Sequence, residues 1–373
     1  MHTIMIAPNR YIQGPGVLKK IGDHIRHLGQ KAFFIGGPTA IFIVRDCAAE
    51  NLKENSIQYV FETFKGTCTR AGALGLSEKA RDFGADMIVG TGGGSVIDTA
   101  KAVSHELEIN LVIAPTIASN DAPCSALSVQ YDENHMLDRF LILRRSPDVV
   151  LVDSQVIVQS PTRYFVAGMG DALATWFEAN TCTKSMAQNL PGGTSTAAAL
   201  ALARLCYDTL MEYGLSAKLA VDIDALTPAV ERVIEANTLL SGIGFESSGL
   251  AAAHGIHEGL HVLEGAEDKL HGELVAFGTL SQMVFENYPK EEIDRVLNFL
   301  KGVGLPVTLE QLGVKDTSSE AVMKAAEVAC MEGLTTHNSY LEINPERILG
   351  AILGADEFGF STTTLVTMGC IMM

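Results

Sequence analysis

A chain of 373 residues exceeds what one hydrophobic core usually supports, so two domains are expected. Hydrophobic residues make up 47% and charged residues 19%, a balance that excludes a disordered or fibrous chain. The 27 basic and 44 acidic residues leave a formal charge of −17, which repels phosphate backbones and anionic headgroups, so nucleic acid and membrane are excluded as partners.

Met1 to Tyr11 lacks a basic region followed by a long apolar stretch, and no uninterrupted apolar run approaches about eighteen residues. Neither export nor membrane spanning is expected. Cys47, Cys68, Cys124, Cys182, Cys206, Cys330 and Cys370 are scattered and form no Cys-x-x-Cys pair, which reads as reduced thiols in a cytoplasmic protein.

Short β-branched and aromatic runs come first: Ala32 to Ile35, Gln58 to Phe61, Met87 to Val89, Leu111 to Ala114 and Val149 to Val152. They alternate with helical patterns, which predicts a largely parallel sheet in an α/β domain over residues 1–160. After Ser160-Pro161 the texture changes to Ala- and Leu-rich segments such as Thr196 to Tyr213 and Pro228 to Leu240, so residues 161–373 are expected to be all-helical. Pro228 follows Thr227, a natural cap, and punctuates an element rather than breaking one. The run Ala197 to Cys206 is interrupted by Arg204 and suits a buried helix. The closing stretch Ser361 to Met373 is Thr- and Met-rich, and fraying is the simple expectation there.

Ala85 to Val89 runs into Gly90-Thr91-Gly92-Gly93-Gly94-Ser95, and Val96 to Val103 then has helical composition, with Asp98 in its first turn. Consecutive glycines let backbone N–H groups approach an anion, and the helix N-terminus adds favourable partial charge for a pyrophosphate. The same cluster is also what a tight turn requires. It lacks the Gly-Lys-Ser/Thr ending of a P-loop, which argues against an NTPase.

Three later segments offer metal ligands: Gly170-Asp171-Ala172, Ala253-His254-Gly255 and Leu270-His271-Gly272. One carboxylate and two imidazoles suit zinc, with iron or manganese open on ligand type, and three protein ligands would leave a position for substrate oxygen. Taken singly, Asp171 also reads as a helix cap and each histidine as a hydrogen-bonded core residue. His257 lies one helical turn from His254, where it supports a ligand, touches substrate or is simply solvated.

Three motifs in one order carry a family resemblance: Gly90 to Lys101 (GTGGGSVIDTAK), Pro115 to Ser128 (PTIASNDAPCSALS) and Gly170 to Glu178 (GDALATWFE). The chain resembles the glycerol dehydrogenases, the zinc-using branch of the iron-containing alcohol dehydrogenase superfamily, and the likeness extends through Val230 to Gly249 and Leu270 to Leu280. The resemblance implies an α/β dinucleotide-binding domain followed by a helical domain, as in dehydroquinate synthase-like proteins. It implies NAD held by Gly92, Gly93, Gly94 and Ser95, with Asp98 nearby and Thr116, Ser119, Ser125, Leu127 and Tyr131 at other cofactor positions. Zinc would rest on Asp171, His254 and His271. Asp121 and Phe245 would line the substrate pocket together with the ligand His254, and Asp121 or His257 would act on the substrate's hydroxyls or proton. Thr175 stands where iron-using relatives carry a further histidine, which favours zinc.

One departure bears on the cofactor. Phe34-Ile35-Gly36-Gly37 lacks the acidic residue that glycerol dehydrogenases commonly place near the second glycine for the adenosine ribose. Gly37 cannot accept that hydrogen bond, nor would it repel a 2′-phosphate. NAD remains the expectation because no Arg or Lys immediately replaces the acid. The resemblance thus implies zinc-assisted hydride transfer from glycerol to NAD, giving dihydroxyacetone, in a homo-oligomer acting on a small polyol. Two alternatives stand beside it: a glycerol-1-phosphate dehydrogenase-like enzyme, which needs basic residues for a phosphate, and a noncatalytic dinucleotide-binding sensor, which needs no metal site.

Overall fold

The computed structural model describes residues 2–133 and 137–369, the side chains of 362–369 excepted. The strands are β1 (Tyr11–Gly14), β2 (Lys31–Gly36), β3 (Gln58–Thr63), β4 (Met87–Gly92), β5 (Asn110–Pro115), β6 (Leu127–Tyr131), β7 (Leu137–Ile142) and β8 (Val149–Asp153). Six of them form one parallel sheet in the order β1-β8-β5-β4-β2-β3, and β6 pairs antiparallel with β7. The expected strands are β2, β3, β4, β5 and β8 of this sheet. β2, β4, β5 and β8 are buried almost throughout, which is why they read as continuous apolar runs rather than alternating ones.

Crossover helices make the parallel pairings possible: α1 (Ile21–Ile25) precedes β2, α2 (Pro38–Glu54) joins β2 to β3, α3 (Arg70–Phe83) joins β3 to β4, and α4 (Gly94–Leu107) joins β4 to β5. Local chemistry sets their ends. The Thr69 hydroxyl accepts from Gly72 N to open α3, and Gly84 at φ 72° closes it. One face of the sheet packs Phe34, Val89, Val112 and Leu151 against Ile21, Val44 and Leu52.

After β8 come α5 (Ser154–Val158), α6 (Thr162–Ser185), α7 (Ala197–Val221), α8 (Pro228–Glu235), a π-helical turn (Ala236–Leu240), α9 (Ser241–Ser248), α10 (Ala252–Leu260), α11 (His271–Phe285), α12 (Lys290–Val303), α13 (Ser319–Ala329) and α14 (Pro345–Gly369). No strand follows Asp153 among the described residues, and none of the described helices is long and apolar enough to cross a membrane. Residues 370–373, at the end of the stretch where fraying was expected, lie outside the described residues, Cys370 among them; the six other cysteines form no disulfide among the described residues.

The chain packs as two compact units whose limits differ from a single division at residue 160. One comprises Ile6–Phe165 and Leu219–Ile243; the other comprises the N-terminal residues through Met5, Val166–Lys218 and the chain from Gly244 onward. Side-chain bonds account for the interleaving. Asn237 Nδ2 donates to the Ala118 and Phe165 carbonyls at 3.1 and 3.0 Å, and Tyr11 Oη meets Thr238 Oγ1 at 2.8 Å, so residues 219–243 join the sheet-bearing unit. At the other end, Ile4 N donates to Thr194 O and Asn189 Nδ2 to Ile4 O, which fastens the N-terminus into the helical unit.

Within the helical unit α6 and α11 approach backbone to backbone. A Cβ on Gly170 would collide with the Gly272 carbonyl, and one on Gly272 with the Ala167 carbonyl. Backbone cannot move aside as a flexible side chain does, so Gly272→Ala is expected to lower unfolding free energy by about 1–3 kcal/mol in a denaturant titration, with the m value unchanged.

Candidate metal centre and dinucleotide site

The metal-ligating candidates come from three helices of the helical unit: Asp171 on α6, His254 on α10 and His271 at the start of α11. One ligand atom from each lies within 4.8 Å of the others. Asp171 Oδ1 is 3.4 Å from His254 Nε2 and 3.2 Å from His271 Nε2. The Asp171 side chain is fully buried, whereas that of His271 is 39% exposed, so the cluster is closed behind the carboxylate and open on one side.

A carboxylate missing from the expected set organises this cluster. Glu178 lies seven residues after Asp171 on the same face of α6 and is fully buried. Its Oε2 is 2.7 Å from His254 Nδ1, and its Oε1 accepts from Ala251 N at 2.8 Å and His254 N at 2.9 Å. Gln282 Oε1 adds a bond from Ala253 N. Side chains of α6 and α11 thus satisfy the opening N–H groups of α10 while Glu178 fixes its histidine. A carboxylate taking the Nδ1 proton leaves Nε2 as the lone-pair donor, directed toward Asp171. The signal was present at Glu178, inside the third motif and two turns from Asp171.

His257 is not solvated. It is 4% exposed, and its Nε2 lies 3.0 Å from His271 Nδ1 and 3.0 Å from His261 Nε2. Accepting the His271 Nδ1 proton would make His257 the partner that keeps His271 Nε2 available as a ligand. Burial, with His271 next, holds its pKa well below the ordinary histidine value. Burial also works against a charged His254, but Glu178 and Asp171 outweigh it and raise that pKa well above the usual value. For Asp171, burial pushes the carboxyl up, and the two imidazoles, led by His271, reverse this to hold it far below the carboxylate range.

The donor set fits a metal ion: a buried anionic oxygen and two imidazole nitrogens freed by orienting partners. Thr175 is buried one turn after Asp171, with its Cγ2 2.6 Å from where a Gly244 Cβ would stand. The threonine provides no imidazole, so the group remains at three protein ligands. Phe245 is buried on α9, and its side chain has no polar atom to enter the hydrogen-bond network.

The dinucleotide candidates lie in the sheet-bearing unit, at the C-terminal ends of its strands. From β3 the chain returns past β2 to form β4, so the direction of strand addition reverses between β2 and β4. Such switch points form the ligand crevices of open α/β sheets. Gly36 is in register with Thr91 there, and Gly92, Gly93 and Gly94 lead into α4. Gly92 has φ 144°, which favours glycine. Cβ atoms on Gly93 and Gly94 would stand 2.8 Å from Ile117 Cδ1 and 2.5 Å from Asn120 Nδ2. The N-cap of α4 is Gly93, which has no side chain to bond the opening amides, Ser95 among them.

The remaining cofactor candidates lie on α4 and on the chain that follows β5. Thr116 N donates to Gly92 O, Ser119 follows in the same loop, and Asp98 O accepts from Ser128 Oγ. Ser125 and Leu127 are tied by Lys101, a fully buried lysine, whose Nζ donates to Ala122 O at 2.6 Å, Ser125 Oγ at 3.0 Å and Leu127 O at 2.6 Å. Tyr131, farther along β6, pairs its N–H with Cys68 O. Asp121 also belongs to this unit, 2.7 Å from Ser241 Oγ. At the end of β2, a Cβ on Gly37 would meet nothing within 4 Å.

Comparison with known proteins identifies the family. The iron-containing alcohol dehydrogenase family matches residues 8–154. The chain is 44% identical over 359 residues to glycerol dehydrogenase of Escherichia coli O6:H1 and 45% identical over 361 residues to that of Thermotoga maritima; each match covers 96% of this chain and 98% of the relative. The crystal structure of glycerol dehydrogenase from Schizosaccharomyces pombe superposes with a TM-score of 0.94 at 33% identity, covering 98% of this chain and 93% of that one.

Two outcomes follow from the metal cluster. Glu178→Gln keeps an acceptor for the α10 amides but loses the charge behind His254, so zinc affinity measured by chelator competition is expected to fall about 10–100-fold. Unchanged affinity would remove Glu178 from the site. The raised His254 pKa means that the metal-free site carries a proton until pH exceeds that value. Metal must displace this proton, so apparent zinc affinity is expected to rise with pH across the neutral range, with proton release visible by calorimetry in buffers of different ionisation enthalpy.

Proposed function

This chain belongs to the iron-containing alcohol dehydrogenase family, in its glycerol dehydrogenase branch, and from that premise we propose that it oxidises glycerol to dihydroxyacetone with NAD and zinc. The observation that carries the reading is the convergence of Asp171, His254 and His271 on one point, with Glu178 and His257 behind the two imidazoles. When bound, zinc supplies Lewis acidity toward a substrate hydroxyl, and NAD supplies the hydride acceptor.

The protein's own groups divide the work. Asp171, His254 and His271 would hold the metal, and the two orienting partners would keep both Nε2 lone pairs in place without competing for it. Gly92 to Ser95 and the α4 N-terminus would take the pyrophosphate, and the segment from Thr116 to Leu127 would complete the cofactor site. Asp121 and Phe245 are assigned to the polyol. Oxidation removes a hydride from the carbinol carbon and a proton from its oxygen, and we assign His257 to orienting His271 rather than to first contact with that proton.

The full-length relatives do not favour the phosphate-substrate alternative, and a noncatalytic sensor would have no use for the buried acid and two oriented imidazoles. The reading also includes a cytoplasmic, homo-oligomeric enzyme, consistent with the acidic charge and free thiols.

Glycerol oxidation, followed as NADH formation, is expected to disappear on chelation, return with zinc, and fall by at least about a thousandfold in Asp171→Asn. Turnover by fully metal-free protein would overturn the mechanism. The cofactor assignment has a separate test at Gly37, where open space admits a side chain. Gly37→Asp is expected to increase the NAD to NADP preference about tenfold or more in kcat/KM, by accepting from the ribose and repelling a 2′-phosphate. An unchanged ratio would place the ribose elsewhere.

A further inference from the structure

We propose that the π-helical turn Ala236–Leu240 and the Ser241–Gly242 pair after it form a clamp that positions Asp121, with Ser241 acting on substrate binding through that carboxylate. The inference rests on the assignment of Asp121 to the polyol made above. All the residues involved lie within the sheet-bearing unit.

Bonding from i to i+5 widens the helix, so that residues four and five apart share a face; short π segments within α-helices are frequent at functional sites. Here the shared face is Asn237, Ser241 and Gly242, and each meets the segment that follows β5. Asn237 Nδ2 donates to Ala118 O at 3.1 Å and to Phe165 O at 3.0 Å. Ser241 Oγ donates to Asp121 Oδ2 at 2.7 Å and is fully buried. A Cβ on Gly242 would stand 3.0 Å from both Asp121 O and Cys124 Cβ, so glycine sets how closely the turn approaches. Thr238, from the same turn, is tied through its hydroxyl to Tyr11 of β1, which anchors the turn to the sheet.

Satisfying the backbone does not explain the choice of residues. The Asn237 amide is fully buried, and with Nδ2 committed to two carbonyls its Oδ1 has no hydrogen-bond partner among the described residues. An unsatisfied amide oxygen is costly inside a protein. Holding Ala118 in place is the evident return. Lys101 grips the same segment farther along, at Ala122 O, so Asp121 lies between two fixed points and Ser241 orients its carboxylate. A hydroxyl donating to a carboxylate is among the stronger side-chain bonds and restricts rotation of the acceptor.

A double-mutant cycle separates positioning from a merely structural hydroxyl. Ser241→Ala is expected to raise KM for glycerol about tenfold, as loss of one charge-assisted hydrogen bond would, with kcat within about threefold and NADH affinity unchanged. In an Asp121→Ala background the same substitution is expected to change KM less than about twofold. Equal effects in both backgrounds would overturn the clamp and leave Asp121's assignment standing. Wild-type glycerol kinetics in Asp121→Ala would overturn both. Should Ser241→Ala fail to fold, Ser241→Cys, with its weaker donor, runs the same cycle, and a KM effect that persists without the Asp121 carboxylate again overturns the clamp.

Discussion

Burying a carboxylate is expensive unless other groups replace its water, and the helical unit buries two on one face of α6, Asp171 and Glu178. The arrangement of α10 and α11 supplies that replacement. Glu178 receives two opening amides of α10 and the inner nitrogen of His254; Asp171 meets the outer nitrogens of His254 and His271. The close passage of α6 and α11 at Gly170 and Gly272 brings the ligands of those helices together. Stability and chemistry are therefore the same problem here: the imidazoles that offset the buried charge of Asp171 are the groups that would hold a metal beside it.

The sheet-bearing unit solves a different problem, bringing backbone close to a large anion. Strand order reverses between β2 and β4, the kind of place where open α/β sheets bind ligands, and the glycines at the end of β4 let the chain pass close to Ile117 and Asn120. Side chains would block that approach at Gly93 and Gly94. At Gly37 the space is open, so glycine there reflects a missing contact rather than a steric demand. That contrast makes substitution of Gly37 a test of cofactor choice rather than of folding.

Much of this was legible from residue order because burial on both faces writes itself as an unbroken apolar run, as in Phe33 to Ile35 or Val149 to Val152. β1 was not, since Tyr11 to Gly14 is half-buried, polar at Gln13 and short; its place beside β8 depends on tertiary pairing. The antiparallel pair β6–β7 was missed for a related reason: β7 has no buried face, and Asp138 and Arg139 interrupt its apolar residues. Metal ligands could be nominated by type and motif, and Glu178 by its two-turn spacing from Asp171, but the contact of His257 with His271 depends on how α10 and α11 pack, which spacing alone does not reveal. Nor does composition distinguish a π turn from an α-helix: Pro228 to Leu240 reads as one helix, and its widened end emerges only in the folded chain.

The central claim is that one metal ion sits among Asp171, His254 and His271. X-ray absorption at the zinc edge, on protein loaded with one equivalent, tests it most directly. The account predicts a shell of nitrogen and oxygen only, with two imidazoles at about 2.0–2.1 Å, and loss of one imidazole's outer scattering in His271→Ala. A sulfur shell near about 2.3 Å, or a spectrum unchanged by His271→Ala, would contradict it.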